Sequence, residues 1–294
     1  MSGAPTRIDP DVTLVIPTLG RPILRRMLAA VTAGEAWPAR VIIVDQGRKP
    51  EIAAFAVEAR RSGLEVLYLP TGSTGKSAGL NEGIARVQTR FLAIADDDCI
   101  VAPDWMARLG ERLRRHPSAV VTGRVEAGDG EVQLSVVTSE AEEIQRRPRL
   151  RFDRLSGGNM AMSLEVAGRI GPFIEDPCMR AAEDTEYAYR TLRSGVTIVY
   201  APEVVVQHVG WRDLEQREDR YRNYALSQGG LFGWYLRRGD LFIGARAVVH
   251  LMRAMRRWLT GALRGDADVA SNGRAYVVNL WPGMRAGWRN GGRR

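Results

Sequence analysis

The segment RFLAIADDD, residues 90–98, places five apolar residues directly before three successive carboxylates, Asp96, Asp97 and Asp98. An uninterrupted apolar run is typical of a parallel strand that is buried on both faces. Carboxylates crowded at the end of such a strand repel one another unless a cation lies among them. Mg²⁺ or Mn²⁺ held by carboxylates and substrate phosphates is a recurring solution, and a solvated turn or helix cap is the alternative.

Upstream of this segment the chain alternates between predicted strands and predicted helices. The strands are VTLVIPTLG (12–20), ARVIIVDQG (39–47) and LEVLYLP (64–70), and the helices follow them at 21–34, 52–63 and 77–88. This order predicts an α/β fold, with a mostly parallel central sheet, right-handed crossovers and flanking helices. Ligands of such sheets bind beyond the carboxyl ends of the strands. Four segments converge there: Pro17-Thr18, Asp45-Gln46, the loop 72–76 and Asp96 to Asp98.

The loop TGSTGKSAG, residues 71–79, is similar to the phosphate loop of an NTPase, because Gly-Lys-Ser precedes a predicted helix. The spacing G-x-x-x-x-G-K-[ST] would place its first glycine at position 70, where this chain has Pro70. Proline has no N–H to offer a phosphate. A P-loop-like NTPase is therefore an alternative, and another nucleotide chemistry is favoured.

Three further groups of residues in the second half of the chain are candidates for chemistry. Glu183 and Asp184 open a predicted helix, where a carboxylate could act as a general base or simply stabilise the helix dipole. His208 ends a predicted strand and is either a metal ligand or a packed histidine. Gly157, Gly158 and Asn159 would let the backbone approach a ligand, although a plain turn explains the same residues.

Together these segments resemble a known family over roughly residues 12–211. The motifs are VIPTLGRP, IIVDQG, GKSAGLNEGI, FLAIADDDC, GGNMAMS, AEDTEYAYR and VVVQHVGW. They resemble the inverting glycosyltransferases of family 2, which have the Rossmann-like GT-A fold, and in particular bacterial rhamnosyl and galactofuranosyl transferases. The chain lacks the Q-x-x-R-W signature of processive synthases, which favours transfer of one or a few sugars.

The resemblance implies a metal site and a catalytic base. The DDD triplet matches the Asp-x-Asp (DXD) motif, so Asp96, Asp98 and His208 are the expected ligands of Mn²⁺ or Mg²⁺. Glu183 and Asp184 match the ED motif, in which the aspartate is the base. His208 lies 24 residues beyond Asp184, as in the related transferases.

The resemblance also implies the substrates and their contacts. The donor is a UDP-, dTDP- or GDP-linked hexose or deoxyhexose, and the acceptor is a glycan or a lipid-linked molecule of cell-envelope polysaccharide synthesis. The implied donor contacts are Pro17, Thr18, Arg21, Asp45, Gly75, Lys76, Asn81, Asp96 and Asp97. The implied sugar and acceptor contacts are Gly157, Gly158, Asn159 and Trp211. Gln46-Gly47 departs from the commoner acidic residue and Gly-Ser, which leaves base selectivity open.

The 294-residue chain is 45% hydrophobic, and its two cysteines, Cys99 and Cys178, lie far apart. This composition predicts a globular protein of a reducing compartment. We find no secretory signal and no run near the roughly 18 apolar residues of a membrane span, so we expect a cytoplasmic protein. No internal repeat or low-complexity linker interrupts residues 1–210, which we expect to form the catalytic domain.

The basic residues are concentrated at the carboxyl end of the chain. Residues 1–210 carry 26 Lys/Arg and 27 Asp/Glu, whereas residues 211–294 carry 16 and 7. A uniformly basic nucleic-acid binder would not show this division, so we expect no nucleic-acid partner. The segment 211–294 is expected to be a mainly helical extension, helical to about residue 264 and then looped.

Residues 241–263 are expected to form an amphipathic helix, with polar residues at 246, 250, 253 and 256/257 on one face. Such a helix could lie on the inner face of the cell membrane. It could equally pack on the catalytic domain or on a second subunit of a homo-oligomer. A non-catalytic nucleotide-sugar or glycan-binding module remains the alternative from outside the enzymes.

Overall fold

The computed structural model describes residues 7–128, 137–209 and 217–292. These residues belong to two compact units. The first unit comprises the described residues within Met1–Arg147, Arg154–Phe173 and Tyr187–Trp211. The second comprises Pro148–Asp153, Ile174–Glu186 and the described residues within Arg212–Arg294. Two segments from before residue 210 therefore pack with the C-terminal helices.

The first unit is built on a mixed sheet of nine strands among the described residues. The strands are β1 Arg7–Thr18, β2 Ala36–Asp45, β3 Val66–Pro70, β4 Phe91–Ile94, β5 Cys99–Val101, β6 Ala119–Ala127, β7 Glu143–Gln145, β8 Met160–Ser163 and β9 Thr197–His208. Their order is β3-β2-β1-β4-β8-β6-β9-β5, and β7 also pairs with β9. The strands β1, β2, β3, β4, β6 and β9 run in one direction, which confirms a mostly parallel sheet.

Helices cover both faces of this sheet and close two hydrophobic cores. The helices are α1 Leu24–Thr32, α2 Pro50–Arg61, α3 Lys76–Ile84, α4 Trp105–Arg115, α5 Leu164–Ile170 and α6 Glu183–Arg193. Leu14 and Ile16 of β1 belong to the core under α1, α2 and α4, whereas Val15 belongs to the core that includes α3 and α5. This alternation follows from the two-residue period of a strand, and apolar residues on both faces explain the uninterrupted run in the sequence.

The parallel register aligns the ends of the first strands. Thr18 of β1 is paired with Asp45 of β2, and Asp45 is paired with Pro70 of β3. Val15 is paired with Ile94, so Asp96 to Asp98 follow at the same edge as Thr18. The carboxyl edge of the sheet therefore gathers four segments that are far apart in sequence.

An antiparallel pairing brings a distant residue to this edge. Strand β5 follows directly after Asp98 and runs antiparallel to the end of β9. In that register Cys99 lies opposite His208. Cys99 and His208 are thereby brought side by side although 108 residues separate them in the sequence.

The second unit contains the helices α7 Arg217–Arg237, α8 Leu241–Arg264 and α9 Ala267–Gly291. The expectation that the chain loops after residue 264 is wrong, because α9 is a helix of 25 residues. Its glycines fit against other helices: a Cβ on Gly287 would lie 1.9 Å from the Gly230 carbonyl oxygen of α7. Packing of this kind outweighs the low helix propensity of glycine.

Across the described part of the chain, we find no helix long and apolar enough to cross a membrane.

Candidate active site

The three carboxylates after β4 are partnered by cations of the chain itself. Lys76 Nζ lies 2.6 Å from Asp96 Oδ1. The Arg21 guanidinium contacts Asp97 and donates a 2.7 Å hydrogen bond from its NH1 nitrogen to Asp98 Oδ2. The repulsion expected within the triplet is therefore offset by two positive charges.

Asp97 is the most deeply buried of the three and is tied to the end of β1. Its side chain is 0% exposed, and the Thr18 hydroxyl donates to its Oδ2 at 2.5 Å. Burial raises the pKa of Asp97 to about 6, although the charge of Arg21 and the hydrogen bonds from Thr18 and Arg21 oppose this shift. Asp97 thus anchors Thr18 and Arg21 to the strand end.

Arg21 stays charged in this surrounding. Burial lowers the pKa of its guanidinium, but the negative charges of Asp98 and Asp97 outweigh that effect and raise the pKa above its ordinary value. Its side chain is 23% exposed, so one side of the group still reaches solvent. A second anion could approach it from there.

Asp98, Cys99 and His208 form a cluster whose potential ligand atoms all lie within 4.8 Å of one another. His208 Nε2 is 3.7 Å from Asp98 Oδ1. The pairing of β5 with β9 fixes this geometry, and the backbone N–H of Val209 also donates to the Asp98 carbonyl at 2.9 Å. The structure therefore brings two of the three predicted metal ligands together.

The donor set fits a divalent cation such as Mn²⁺. A carboxylate and an imidazole at this separation can share one ion, with phosphate oxygens completing its shell. Burial raises the pKa of the Cys99 thiol well above its ordinary value. A thiol is also a soft ligand, and Mn²⁺ and Mg²⁺ favour oxygen ligands over it. Asp96, the third predicted ligand, is paired with Lys76 and lies outside this cluster.

The sequence did not predict Cys99 as part of the site, and it placed Gln46 at this edge without a role. The amide nitrogen of Gln46 lies 3.1 Å from both the carbonyl and the hydroxyl oxygen of Ser73, and 2.9 Å from the Gly75 carbonyl. Gly75 has φ +93° and immediately precedes Lys76, the first residue of α3. Gln46 thus fastens the glycine loop to the end of β2. The sign of this role in the sequence was Gln46 itself, which replaces the acidic residue that is commoner at this position.

Asp45 is fully buried and supports the turn after β2. Its Oδ1 accepts hydrogen bonds from the backbone N–H groups of Gly47 and Arg48 at 2.9 and 3.0 Å. Its Oδ2 accepts one from the Tyr68 hydroxyl at 2.8 Å. Neighbouring Pro17 is a buried residue of β1, paired with Val44. Pro17 and Asp45 lie at the carboxyl edge of the sheet, as predicted. Their contact with a nucleoside stays a prediction.

The side chains of Asn81 and Asn159 have structural partners, which differ from the ligand contacts predicted for them. The Asn81 amide donates to the Phe173 carbonyl and accepts from the Phe173 N–H, at 2.9 and 2.8 Å. Asn159 is 0% exposed. It accepts from the Trp105 indole and donates to the carbonyls of Arg124 and Val204. Buried amides require such partners, so Asn159 does not face a sugar.

The two glycines before Asn159 lie in a buried turn beside the carboxylates. A Cβ on Gly158 would lie 2.7 Å from Cys99 Sγ and 3.1 Å from Asp96 Oδ2. A side chain at Gly158 would therefore displace Asp96 or Cys99. Gly157 shares the turn, and Trp211 lies outside the described residues.

Glu183 and Asp184 form the first turn of α6 and belong to the second unit. Glu183 is buried, whereas Asp184 is only half-buried. Asp184 Oδ1 accepts a hydrogen bond from the Thr185 N–H at 2.6 Å. A partly exposed carboxylate can receive a proton from a molecule that approaches it, which a fully enclosed one could not.

A sequence model of the family described as "Glycosyltransferase like family 2" matches residues 10–223. Among curated proteins, the succinoglycan biosynthesis protein ExoM of Rhizobium meliloti (strain 1021) is 35% identical over 107 residues, 36% of this chain and 34% of that protein. Cellulose synthase 1 of Komagataeibacter xylinus is 33% identical over 93 residues, 30% of this chain and 6% of the synthase. The chain thus matches only about a third or less of these relatives' length.

Two solved structures resemble the whole chain more broadly. The mannosyltransferase PcManGT from Pyrobaculum calidifontis, in complex with GDP-Man and Mn²⁺, has a TM-score of 0.60 at 17% identity, covering 96% of this chain and 88% of that one. S. aureus TarS 1–349 in complex with UDP-GlcNAc has a TM-score of 0.56 at 15% identity, covering 90% and 91%. At these identities the likeness concerns the fold, and it confirms the expected GT-A architecture.

Proposed function

Because the chain belongs to glycosyltransferase family 2, we propose that it transfers a sugar from a nucleotide-diphosphate sugar to a hydroxyl group of a glycan or lipid-linked acceptor. One observation carries the proposal. The carboxyl edge of the sheet holds the Asp98–His208 pair beside two cations, Arg21 and Lys76. The complexes of the two structural neighbours with GDP-Man and UDP-GlcNAc support this donor class.

Arg21 and Lys76 are suited to hold the diphosphate of the donor. Both already contact anionic oxygens, and both side chains are partly exposed, at 23% and 25%. Gly75 precedes Lys76, and a Cβ on this glycine would meet nothing within 4 Å, so its backbone is open to a phosphate. The nucleoside then lies toward Pro17, Thr18 and Asp45, whose strand ends adjoin this loop.

Asp98 and His208 would hold Mn²⁺ or Mg²⁺. The imidazole ligand favours Mn²⁺ over Mg²⁺. When bound, the metal supplies Lewis-acid stabilisation of the charge that develops on the leaving diphosphate. In the protein alone, the Arg21 guanidinium holds the Asp98 carboxyl group in place through a 2.7 Å hydrogen bond. The Mn²⁺ in the PcManGT complex supports the assignment.

Asp184 is proposed as the general base. Its carboxylate takes the proton of the acceptor hydroxyl while that oxygen bonds to the anomeric carbon. The bond from the anomeric carbon to the diphosphate oxygen breaks on the opposite side, so the anomeric configuration inverts. Glu183 precedes it in the same helical turn and, being buried, serves to position that turn.

The sugar is proposed to be a hexose or deoxyhexose carried by UDP, dTDP or GDP. The reaction would serve cell-envelope polysaccharide synthesis, a role supported by the partial similarity to ExoM. Residues 1–210 would hold the catalytic groups, and 211–294 would form a basic, mainly helical extension.

The first test is calorimetric titration with UDP, dTDP, GDP and ADP, each with and without Mn²⁺. We expect Mn²⁺-dependent binding of one sugar-carrying diphosphate, lost in Asp98→Ala and kept in the control Asp11→Ala, whose carboxylate is about half exposed. Binding of ADP without metal, or of no diphosphate, would contradict the proposal. Release of phosphate from ATP without any sugar would support the NTPase instead.

The base is tested separately by Asp184→Asn with the donor identified above. We expect transfer to fall by about 10²–10⁴-fold, the contribution typical of a general base, while diphosphate affinity is unchanged. Loss of both transfer and diphosphate binding would contradict the assignment of Asp184 as the base.

A further inference from the structure

The outward face of α8 is apolar, an orientation that its amphipathic sequence had left open. Six side chains on this face are between 47% and 87% exposed. They are Leu241, Val248, Met252, Met255, Leu259 and Leu263, which we call the α8 stripe. Their spacing of three, four and seven residues places them on one side of the helix.

Three polar residues of α8, Arg246, His250 and Arg257, point the other way, into the second unit. Arg246 is 0% exposed and forms a 2.7 Å ion pair with Asp153, whose side chain is also 0% exposed. His250 Nε2 lies 2.5 Å from the Arg151 carbonyl. Arg257 donates to Asn272 Oδ1 at 2.7 Å.

The orientation of α8 is the reverse of that of a helix that packs on a protein in water. Such a helix buries its apolar stripe and leaves its polar residues in solvent. Here the apolar stripe stays outside while a charged residue is enclosed. Six large apolar side chains exposed along one helix face are typical of an interaction surface.

We propose that the α8 stripe docks on an anionic lipid bilayer, with α8 lying in the plane of the membrane surface. The residues Leu241–Arg264 include five arginines and no acidic residue. Arg256 and Arg264 are exposed, where they can contact lipid phosphates. No described helix is apolar enough to cross the bilayer, so α8 fits the interfacial class of amphipathic helix.

The second unit also exposes tryptophans. Trp258 of α8 and Trp281 and Trp288 of α9 are 40–64% exposed. Tryptophan favours the boundary between lipid and water because its ring is apolar and its N–H is polar.

Charge argues against a second copy of this chain as the occupant. Symmetric pairing of two α8 stripes would bring like surfaces together, because a twofold interface uses the same patch on both subunits. Arg256 would then face an arginine-bearing helix that has no acidic residue to pair with it. A lipid surface supplies the missing negative charge.

The test is flotation of the full chain with vesicles of phosphatidylcholine alone or mixed with phosphatidylglycerol. We expect binding to the mixed vesicles, and binding about tenfold weaker for Met252→Gln/Leu259→Gln, because two apolar side chains no longer enter the bilayer. The matched control is Ile8→Gln/Val57→Gln, two exposed apolar residues of the first unit, which should bind as the wild type does.

A second variant tests the charge. Arg256→Gln/Arg264→Gln should lose most of the preference for phosphatidylglycerol, as should the wild type at high salt. Equal partitioning of the wild type and both variants would overturn the proposal. So would a stable dimer by light scattering that Met252→Gln/Leu259→Gln dissociates. The proposal does not depend on the glycosyltransferase reaction, because the test needs no sugar nucleotide.

Discussion

Lys76 and Asp96 form an ion pair with Nζ 2.6 Å from Oδ1, at the junction between the glycine loop and the end of β4. Lys76 is the first residue of α3, and Asp96 follows β4 by two residues. Both side chains are partly exposed, so solvent screens the pair and limits what it adds to stability. Its importance is therefore expected in ligand binding, because the pair holds a positive charge at the proposed diphosphate position.

Lys76→Met should weaken binding of the preferred nucleoside diphosphate by about tenfold or more. A charge-assisted hydrogen bond is worth about 1.5–3 kcal/mol, and the neighbouring carboxylates lose one compensating charge. Titration calorimetry measures the affinity. Lys49→Met is the control, since Lys49 is exposed and is the other lysine in the sequence. Equal affinities of the two variants would exclude Lys76 from the diphosphate site.

Gln46→Glu should loosen the glycine loop with little change in volume. The substitution replaces an N–H donor by a carboxylate that faces the oxygens of Ser73 and Gly75. We expect diphosphate affinity to fall by about tenfold, since several hydrogen bonds become repulsive. Hydrogen exchange of residues 71–75 should accelerate. The control is Gln88→Glu, at an exposed position. Unchanged hydrogen exchange of residues 71–75 in Gln46→Glu would show that Gln46 does not hold the glycine loop.

Gly233→Ala should strongly destabilise the second unit. A Cβ at this position would lie 1.9 Å from the Met284 carbonyl oxygen of α9, so the two helices would have to separate. We expect a loss of about 2–4 kcal/mol in the free energy of unfolding, measured by chemical denaturation. Gly168→Ala is the control: its Cβ would meet nothing within 4 Å, and it should stabilise α5 by about 0.5–1 kcal/mol. A mild effect at Gly233 would contradict the tight helix crossing.

Acidification should destabilise the second unit through His250. Burial lowers the pKa of His250 to about 4, with Arg246, Arg253 and Arg257 contributing and the hydrogen bond to the Arg151 carbonyl opposing. Between pH 6.5 and 4 the unfolded chain therefore binds more protons at this residue, so stability falls as pH falls. We expect about 1–2 kcal/mol from this source after allowance for screening by solvent.

The measurement is the free energy of unfolding at pH 7 and at pH 4.5 for the wild type and His250→Gln. The variant cannot titrate, so its stability should change less between the two pH values. Identical pH dependence would show that His250 is charged or solvated in the folded state. The phenyl ring of Phe232, edge-on to the imidazole with the ring centroids 5.3 Å apart, is part of the apolar surrounding that opposes the charge.

The parallel part of the fold could be predicted from local pattern. Apolar runs such as Val12–Ile16 and Phe91–Ala95, each followed by a helical segment, leave few alternatives to a parallel sheet. Because all these strands run the same way, the polar residues after them had to meet at one edge, which placed Thr18, Asp45 and Asp96 together.

The helix α9 could not be predicted in the same way. Glycine and proline lower helix propensity wherever they stand, and its sequence contains both, including Pro282 within the helix. The glycines stabilise it through close contact with α7, as at Gly283, whose Cβ would lie 2.1 Å from the Leu226 carbonyl oxygen. Gly283, Gly287 and Gly291 recur every four residues, but only the structure shows that this spacing forms a face packed on α7.

The sequence by itself determined that the chain has an α/β sheet with an acidic triplet at its carboxyl edge, and that α8 has one polar and one apolar face. These properties follow from the periods of strands and helices, which are local. The tertiary structure alone decided that His208 meets Asp98, because an antiparallel register joins them. It also decided which face of α8 is enclosed, because the partner of Arg246 is Asp153, 93 residues away, and a buried charge must be paired.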